Sequence, residues 1–211
     1  MRTRHLSLIL SGLLLAACGT STPPPPPPPP PPPAAATGLD YVDPAGPGWR
    51  LVKDGTSTGT RLVLNLVGPA GLMTRGVGFN LQAPASVRFG VFPNRLPVND
   101  MGVYQLLGST NDPNEPVALI GGIKPGNLLT VGVFQKGREK PAQESGRALC
   151  QIALEFDAAA GLRAGDPIAL AIPKAKFIRE DIGSETDQPG TLAPKVRLAD
   201  IAIALGTITA K

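Results

Sequence analysis

Residues 146–156 read GRALCQIALEF, and apolar and less apolar side chains alternate along this stretch. The two sets of alternate positions are Ala148, Cys150, Ile152, Leu154 and Phe156 against Leu149, Gln151, Ala153, Glu155 and Asp157. A period of two residues is typical of a β-strand with one face in a core, because successive side chains of a strand point to opposite faces. We therefore predict a strand here, with Ile152 on its buried face.

The same alternation recurs along the chain, in short segments separated by glycine and proline. These segments cover residues 62–67, 77–82, 87–91, 104–107, 117–120, 129–134, 168–172 and 201–209. Pro173 is expected to close the segment at 168–172, and no segment of ten or more residues repeats every 3.6 residues. The pattern predicts an all-β domain, an antiparallel sandwich of about nine strands.

Four stretches resemble cohesin-type domains. They are GTRLVLNL at 59–66, GVGFNL at 76–81, the segment at 146–156, and LGTIT at 205–209. The resemblance covers roughly residues 55–211. It implies a nine-stranded jelly-roll sandwich, related to cohesins and to some carbohydrate-binding modules.

The N-terminus has the order of features found in a secretory signal. A basic start with Arg2 and Arg4 precedes an apolar run at 6–15, which is too short to span a bilayer as a helix. Leu15-Ala16-Ala17-Cys18 resembles a lipobox, the cleavage and lipidation site of bacterial lipoproteins. That resemblance implies a signal peptide at 1–17 and a Cys18 carrying a diacylglycerol and an N-acyl chain. Gly19, rather than Asp, follows Cys18, and by resemblance to enterobacterial lipoproteins this favours the outer membrane of the cell envelope.

Pro23 to Pro33 form an uninterrupted run of prolines. Proline lacks an N–H and has a fixed φ, so the run adopts polyproline II, about 34 Å long at about 3.1 Å per residue. We interpret it as a stalk, although a docking motif for a proline-reading domain is the alternative. Residues 34–38 are expected to form a softer joint. The predicted organisation is a signal at 1–17, a lipidated Cys18 and linker at 18–38, and a β-sandwich at 39–211.

Composition excludes several kinds of chemistry. The formal net charge is +4, Arg2 and Arg4 supply two of these charges, and no basic stripe follows, so nucleic acid is not expected as a partner. His5, the only histidine, lies in the predicted signal, which removes Ser-His-Asp catalysis and imidazole zinc sites from the mature chain. Cys150 is the only cysteine besides Cys18 and is interpreted as a core residue. We predict no catalytic residue and no cofactor.

Candidate ligand-binding residues are few. Three aromatic residues could stack on sugars: Tyr41, Trp49 and Tyr104. Core closure is the preferred interpretation of Trp49, because amphipathic rings suit half-buried edges. Weak calcium candidates in two oxygen-rich loops are Asp112, Glu115, Asp181 and Glu185, for which solvated acidic loops are the preferred interpretation.

These observations favour a non-enzymatic envelope lipoprotein, held in the membrane through the lipid on Cys18. Its β-sandwich would bind a protein or glycan partner. A structural component of an envelope or secretion assembly is the alternative, and a carboxylate-based hydrolase is a third possibility.

Replacing Cys18 with serine tests the anchor. Because the lipobox requires the thiol, Cys18→Ser should leave an uncleaved precursor without acyl chains, detected by its mass and by its failure to incorporate labelled fatty acid. A Cys18→Ser protein that is still processed, and still resists a salt wash of the membrane fraction, would show that the lipobox interpretation is wrong.

Overall fold

The computed structural model describes residues 26–93, 102–107, 122–134, 143–179 and 198–211. About half of the residues that the structure describes are in strands, and the helix among them is a short 3-10 turn at Ala158–Ala160. The chain divides into two units, 1–32 and 33–211. In the first, residues 26–32 are exposed and have no regular secondary structure. The all-β class predicted from the alternation is confirmed.

All the strands among the described residues belong to the second unit. In chain order they are β1 Leu39–Val42, β2 Arg50–Lys53, β3 Arg61–Val67, β4 Met73–Gln82, β5 Val87–Gly90, β6 Tyr104–Leu106, β7 Gly122–Lys124, β8 Leu128–Phe134, β9 Gln143–Glu144, β10 Cys150–Phe156, β11 Pro167–Ile168, β12 Ala171–Arg179, β13 Leu198–Asp200 and β14 Thr207–Ala210. The described residues thus form more than the nine strands expected from the sequence, and the jelly-roll arrangement is not confirmed.

The strands form three antiparallel sheets. The β3–β10 sheet has the order β2-β3-β10-β5, and β6 also pairs with β10. The β4–β8 sheet has the order β13-β12-β4-β8-β7, and β9 also pairs with β4. The terminal sheet has the order β1-β14-β11, so it joins the two ends of the folded unit.

One main hydrophobic cluster contains side chains from all three sheets. Its largest fully buried members are Leu51, Leu62, Leu64, Leu66, Leu81, Leu129, Ile152, Leu154, Val77, Val87, Val131 and Val133. Apart from Leu51 of β2 and Val87 of β5, these residues occupy alternate positions of β3, β4, β8 and β10, as the sequence pattern predicted. The shared cluster explains why these strands alternate, since only one face of each sheet has to be apolar.

The opposite face of β10 is not uniformly exposed. Ala153 is fully buried in a second, small cluster with Val63 and Phe92. Gln151, two residues away on the same face, is only half-buried. Strand β10 is therefore covered on both faces at Ala153 and on one face at Gln151.

Two predicted strands end at different residues in the structure. The expectation that Pro173 closes a strand at 168–172 is wrong: β11 ends at Ile168, and β12 runs through Pro173. The pairing of β12 with β4 is irregular between Ala171 and Lys174, where Pro173 lies. Proline has no N–H to donate to the neighbouring strand, and this irregularity removes the need for that hydrogen bond. Of the segment predicted at 201–209, Thr207 onward is a strand. The strand predicted at 117–120 lies outside the described residues.

The expectation of a soft joint at 34–38 is also wrong. The backbone of Ala34 and Ala36 is hydrogen-bonded to residues 162–164, and Gly38 exchanges two hydrogen bonds with Lys211. A Cβ atom on Gly38 would lie 2.2 Å from the carbonyl oxygen of Gly59, which explains the glycine at this position. These contacts could not be predicted from local sequence, because the residues that bond to 34–38 lie far along the chain.

Substitutions on β10 test its two faces. Ile152→Asp should lower the free energy of unfolding by at least about 3 kcal/mol, because the carboxylate would be buried without a partner. Ala153→Asp should also be strongly destabilising, because Ala153 is enclosed in the second cluster. Gln151→Thr is the control and should cost only about 1 kcal/mol, the loss of one hydrogen bond to Asp54, because Gln151 is half-buried and threonine suits a strand. Urea denaturation measures all three, and a neutral Ala153→Asp would contradict the packing of the second cluster.

Candidate functional site

The three aromatic candidates all lie in the main hydrophobic cluster. The exposed fractions of Tyr41, Trp49 and Tyr104 are 5%, 6% and 3%. Stacking on a sugar requires an accessible ring face, and at these exposures the rings pack against protein instead. The burial of Trp49 agrees with core closure, the preferred interpretation, and Tyr41 and Tyr104 are likewise too buried to stack on a sugar.

The two tyrosine hydroxyls bond to backbone groups. The Tyr41 hydroxyl donates to the carbonyl of Leu51 at 2.7 Å and accepts from the N–H of Gly206 at 2.8 Å. The Tyr104 hydroxyl donates to the carbonyl of Gly132 at 3.2 Å, which links the β3–β10 sheet to the β4–β8 sheet. Burial raises the pKa of both phenols above its ordinary value, so both stay protonated donors. These contacts give the two residues a structural role.

Cys150 has no exposed surface, and burial raises the pKa of its thiol to about 12. A nucleophilic or metal-binding cysteine has to be a thiolate, which burial without a neighbouring cation disfavours. The side chain therefore acts as a small apolar group on the inner face of β10.

The remaining candidates fall outside the described residues. These are Cys18, Asp112, Glu115, Asp181 and Glu185. Among the residues that the structure describes, no group of three or more His, Cys, Asp or Glu side chains could hold a metal ion. In the same part of the chain no helix is long and apolar enough to cross a membrane.

The outer face of the β3–β10 sheet, opposite the main cluster, carries an ordered set of polar side chains. Strand pairing aligns Gln151 of β10 with Asn65 of β3 on one side and with Gln105 of β6 on the other. We call these three residues the amide row. All three are half-buried, and Val52 of β2 continues the row beyond Asn65. Three neighbouring strands thus present one amide each at the same level of the sheet.

Asp54 lies at one end of the amide row and orients two of its members. Its carboxylate accepts from the N–H and the hydroxyl of Thr56, at 2.9 and 2.6 Å, and from Nδ2 of Asn65 at 2.7 Å. Hydrogen bonds from Thr56, together with those from Asn65 and Gln151, lower the pKa of the Asp54 carboxyl. Nδ2 of Asn65 is bound to Asp54, whereas Oδ1 of Asn65 is buried and has no hydrogen-bond partner in the part of the chain that the structure describes.

An apolar row lies beside the amide row on the same face. Val63 and Ala153 are two residues along their strands from Asn65 and Gln151, and Phe92 packs against them. The Arg61 guanidinium lies 5.1 Å from the centre of the Phe92 ring. This face therefore changes from amides to apolar side chains within two residues.

A charged row follows the apolar one. Arg61 is paired with Glu155, and Arg88 with Asp157 at 3.7 Å. A Cβ atom on Gly90 would lie 2.5 Å from Nη1 of Arg61, so a glycine leaves room for this arginine. The charges on this part of the face are thus compensated in pairs.

Sequence reasoning missed this face. The alternation in 146–156 did place Gln151 opposite the core, and the segment at 62–67 did the same for Asn65. Which side chains lie beside Gln151 and Asn65 depends on how the strands pair, and a single sequence does not specify that pairing. No protein-family model matches this chain, and no curated protein is significantly similar to it.

Charge removal at Asp54 tests the orienting role of its carboxylate. Hydrogen bonding lowers the folded-state pKa below 3.8, so the carboxylate stabilises the fold above that pH, and this contribution is lost as the pH falls through the folded-state pKa. Asp54→Asn should therefore melt at a lower temperature than the wild type at pH 7. The difference should shrink as the pH is lowered below 3.8. Melting curves at several pH values measure it, and an unchanged difference at low pH would contradict the assignment.

Proposed function

We propose that this protein is an envelope lipoprotein, anchored in the outer membrane through Cys18, whose cohesin-like β-domain binds a protein or glycan partner. The observation that carries the proposal is the attachment of the residues after the proline run to the folded domain. Residues 34–38 are hydrogen-bonded on two sides rather than forming a free linker.

The contacts at this attachment come from distant parts of the chain. On one side the N–H of Ala36 donates to Leu162 and the N–H of Ala164 donates to Ala34, both at 2.9 Å. On the other side the N–H of Gly38 donates to Lys211 at 3.0 Å, and the N–H of Lys211 donates back at 2.9 Å. The residues that follow the proline run are therefore part of the folded unit, which suits a spacer connected directly to a binding domain.

The composition of the described surface supports binding over catalysis. General acid–base catalysis requires titratable groups with perturbed pKa values that converge on one place. The described groups whose pKa is raised are buried Tyr41, Tyr104 and Cys150, and Asp54 is occupied by neighbouring hydrogen bonds. The amide row, in contrast, offers hydrogen-bonding groups on a flat sheet face.

Partner capture tests the proposal. Residues 19–211, immobilised through a C-terminal tag, should retain a specific component from detergent extracts of cell envelopes or from purified envelope polysaccharide. The same chain carrying Ile152→Asp, expected to be unfolded, is the matched control. Retained material is identified by mass spectrometry and by sugar analysis.

Two outcomes would overturn the binding function. If the folded chain retains nothing beyond the unfolded control, a structural role in an envelope or secretion assembly replaces it. If the chain hydrolyses glycoside, ester or peptide substrates, and Glu115→Gln or Asp181→Asn abolishes that turnover, the carboxylate hydrolase replaces it.

A further inference from the structure

The N-terminal arm of the folded unit is held by parts of the chain that are distant in sequence. We define the arm as residues 34–42, which comprise the segment after the proline run and β1. Strand β1 pairs with β14 over four residues. The other backbone hydrogen bonds of the arm join it to Gly59, Leu162, Ala164 and Lys211. The groove that holds the arm is therefore built from residues that any copy of this chain supplies.

A short exposed segment connects the arm to the rest of the domain. Residues 43–48, which we call the hinge, read DPAGPG. Five of these six residues are exposed, and none belongs to the main hydrophobic cluster. At the ends of the hinge, the N–H of Lys53 donates to Oδ1 of Asp43 at 2.7 Å, and Nη1 of Arg50 donates to the carbonyl of Gly48 at 3.0 Å. Straightening the hinge would therefore remove little buried surface.

The closed hinge is conformationally restricted. Gly46 has a φ of 101°, in a region that residues with a side chain rarely adopt. Pro44 and Pro47 each fix their own φ and favour an extended conformation in the residue before them. The hydrogen bond between Asp43 and Lys53 nevertheless requires the chain to turn back within a few residues. A short hinge under such restriction favours exchange of the element that it carries, because the hinge is extended in the exchanged form.

A second copy of this chain fits the groove because its arm makes the same contacts. An arm withdrawn from its own domain would expose Leu39 and Tyr41 and would lose the bonds of the Tyr41 hydroxyl to Leu51 and Gly206. An arm inserted into a second copy restores all of these contacts, and only the hinge differs. Hinge conformation and protein concentration therefore decide the balance between the two forms.

We propose that the arm exchanges between two copies of this chain, so that residues 34–42 of each copy fill the groove of the other. The inference goes beyond the proposed function, because exchange requires neither an anchor nor a bound partner. In the proposed lipoprotein, an exchanged pair carries two binding domains and two stalks, which raises its avidity for a repeated ligand.

Paired cysteines across the ladder test the exchange. Asp40 of β1 and Thr209 of β14 are cross-strand partners, and such partners have Cα atoms about 4.5–5.5 Å apart, within disulfide range. The full chain with Asp40→Cys and Thr209→Cys is purified in detergent, oxidised and run on a non-reducing gel. An arm in its own domain gives a disulfide within one chain, whereas an exchanged arm gives a covalent dimer. We expect a dimer band that reduction removes, and none in either single-cysteine variant, the matched controls.

Variants of the hinge should change the share of dimer. Gly46→Ala places a Cβ atom in open space at a φ of 101°, so it strains the closed hinge without a clash. It should raise the dimer share roughly fivefold. Gly71→Ala is the matched control, because Gly71 also has a positive φ and open space but lies outside the hinge. Replacing both Pro44 and Pro47 with alanine should lower the dimer share, because the closed hinge is then less restricted.

The outcomes decide the inference separately from the proposed function. Exchange is refuted if oxidation consumes the thiols of the double variant but gives only the disulfide within one chain. It is also refuted if the single-cysteine variants form as much dimer, because the cross-link then does not report pairing of β1 with β14. Equal dimer shares in Gly46→Ala and Gly71→Ala would overturn the role of the hinge. None of these results changes the expected capture of an envelope partner, which both the single chain and the exchanged pair should show.

Discussion

Strand β10 is central to the domain, because β3, β5 and β6 are all hydrogen-bonded to it. Ile152 and Leu154 have no exposed surface, and they pack in the cluster that also contains the inner side chains of the β4–β8 sheet. Burial of such side chains stabilises by about 1.5 to 3 kcal/mol each. The fold therefore requires the alternation of β10. The strands paired with it, β3, β5 and β6, are in register with this alternation.

The same register determines what the opposite face can do. Once Ile152 is buried, Gln151 has to point outward, and pairing places it beside Asn65 and Gln105. Asp54 then receives hydrogen bonds from two strands and sets the direction of the amides. The amide row thus follows from the same alternation that builds the core.

The two ends of the folded unit are joined in the terminal sheet, where β1 pairs with β14. This pairing, with the hydrogen bonds of residues 34–38, makes the segment after the proline run part of the domain. In the proposed lipoprotein, the stalk would consequently hold the domain at a defined attachment point. Within the folded unit, each sheet face then lies at a fixed position relative to residues 34–38.

The sequence by itself determined the all-β class, the faces of β3, β4, β8 and β10, and the burial of Cys150, because these follow from local alternation and turn residues. It also contains a stretch that resembles a lipobox and an uninterrupted run of prolines, whose roles as anchor and stalk remain predictions. Only the tertiary structure decided that Tyr41, Trp49 and Tyr104 lie in the core, that Pro173 lies within β12, and that residues 34–38 are bound to the domain. It also brought Asn65, Gln105 and Gln151 into one row. The physical reason is that burial and cross-strand neighbours depend on contacts between residues far apart in the chain, which a period of two residues does not encode.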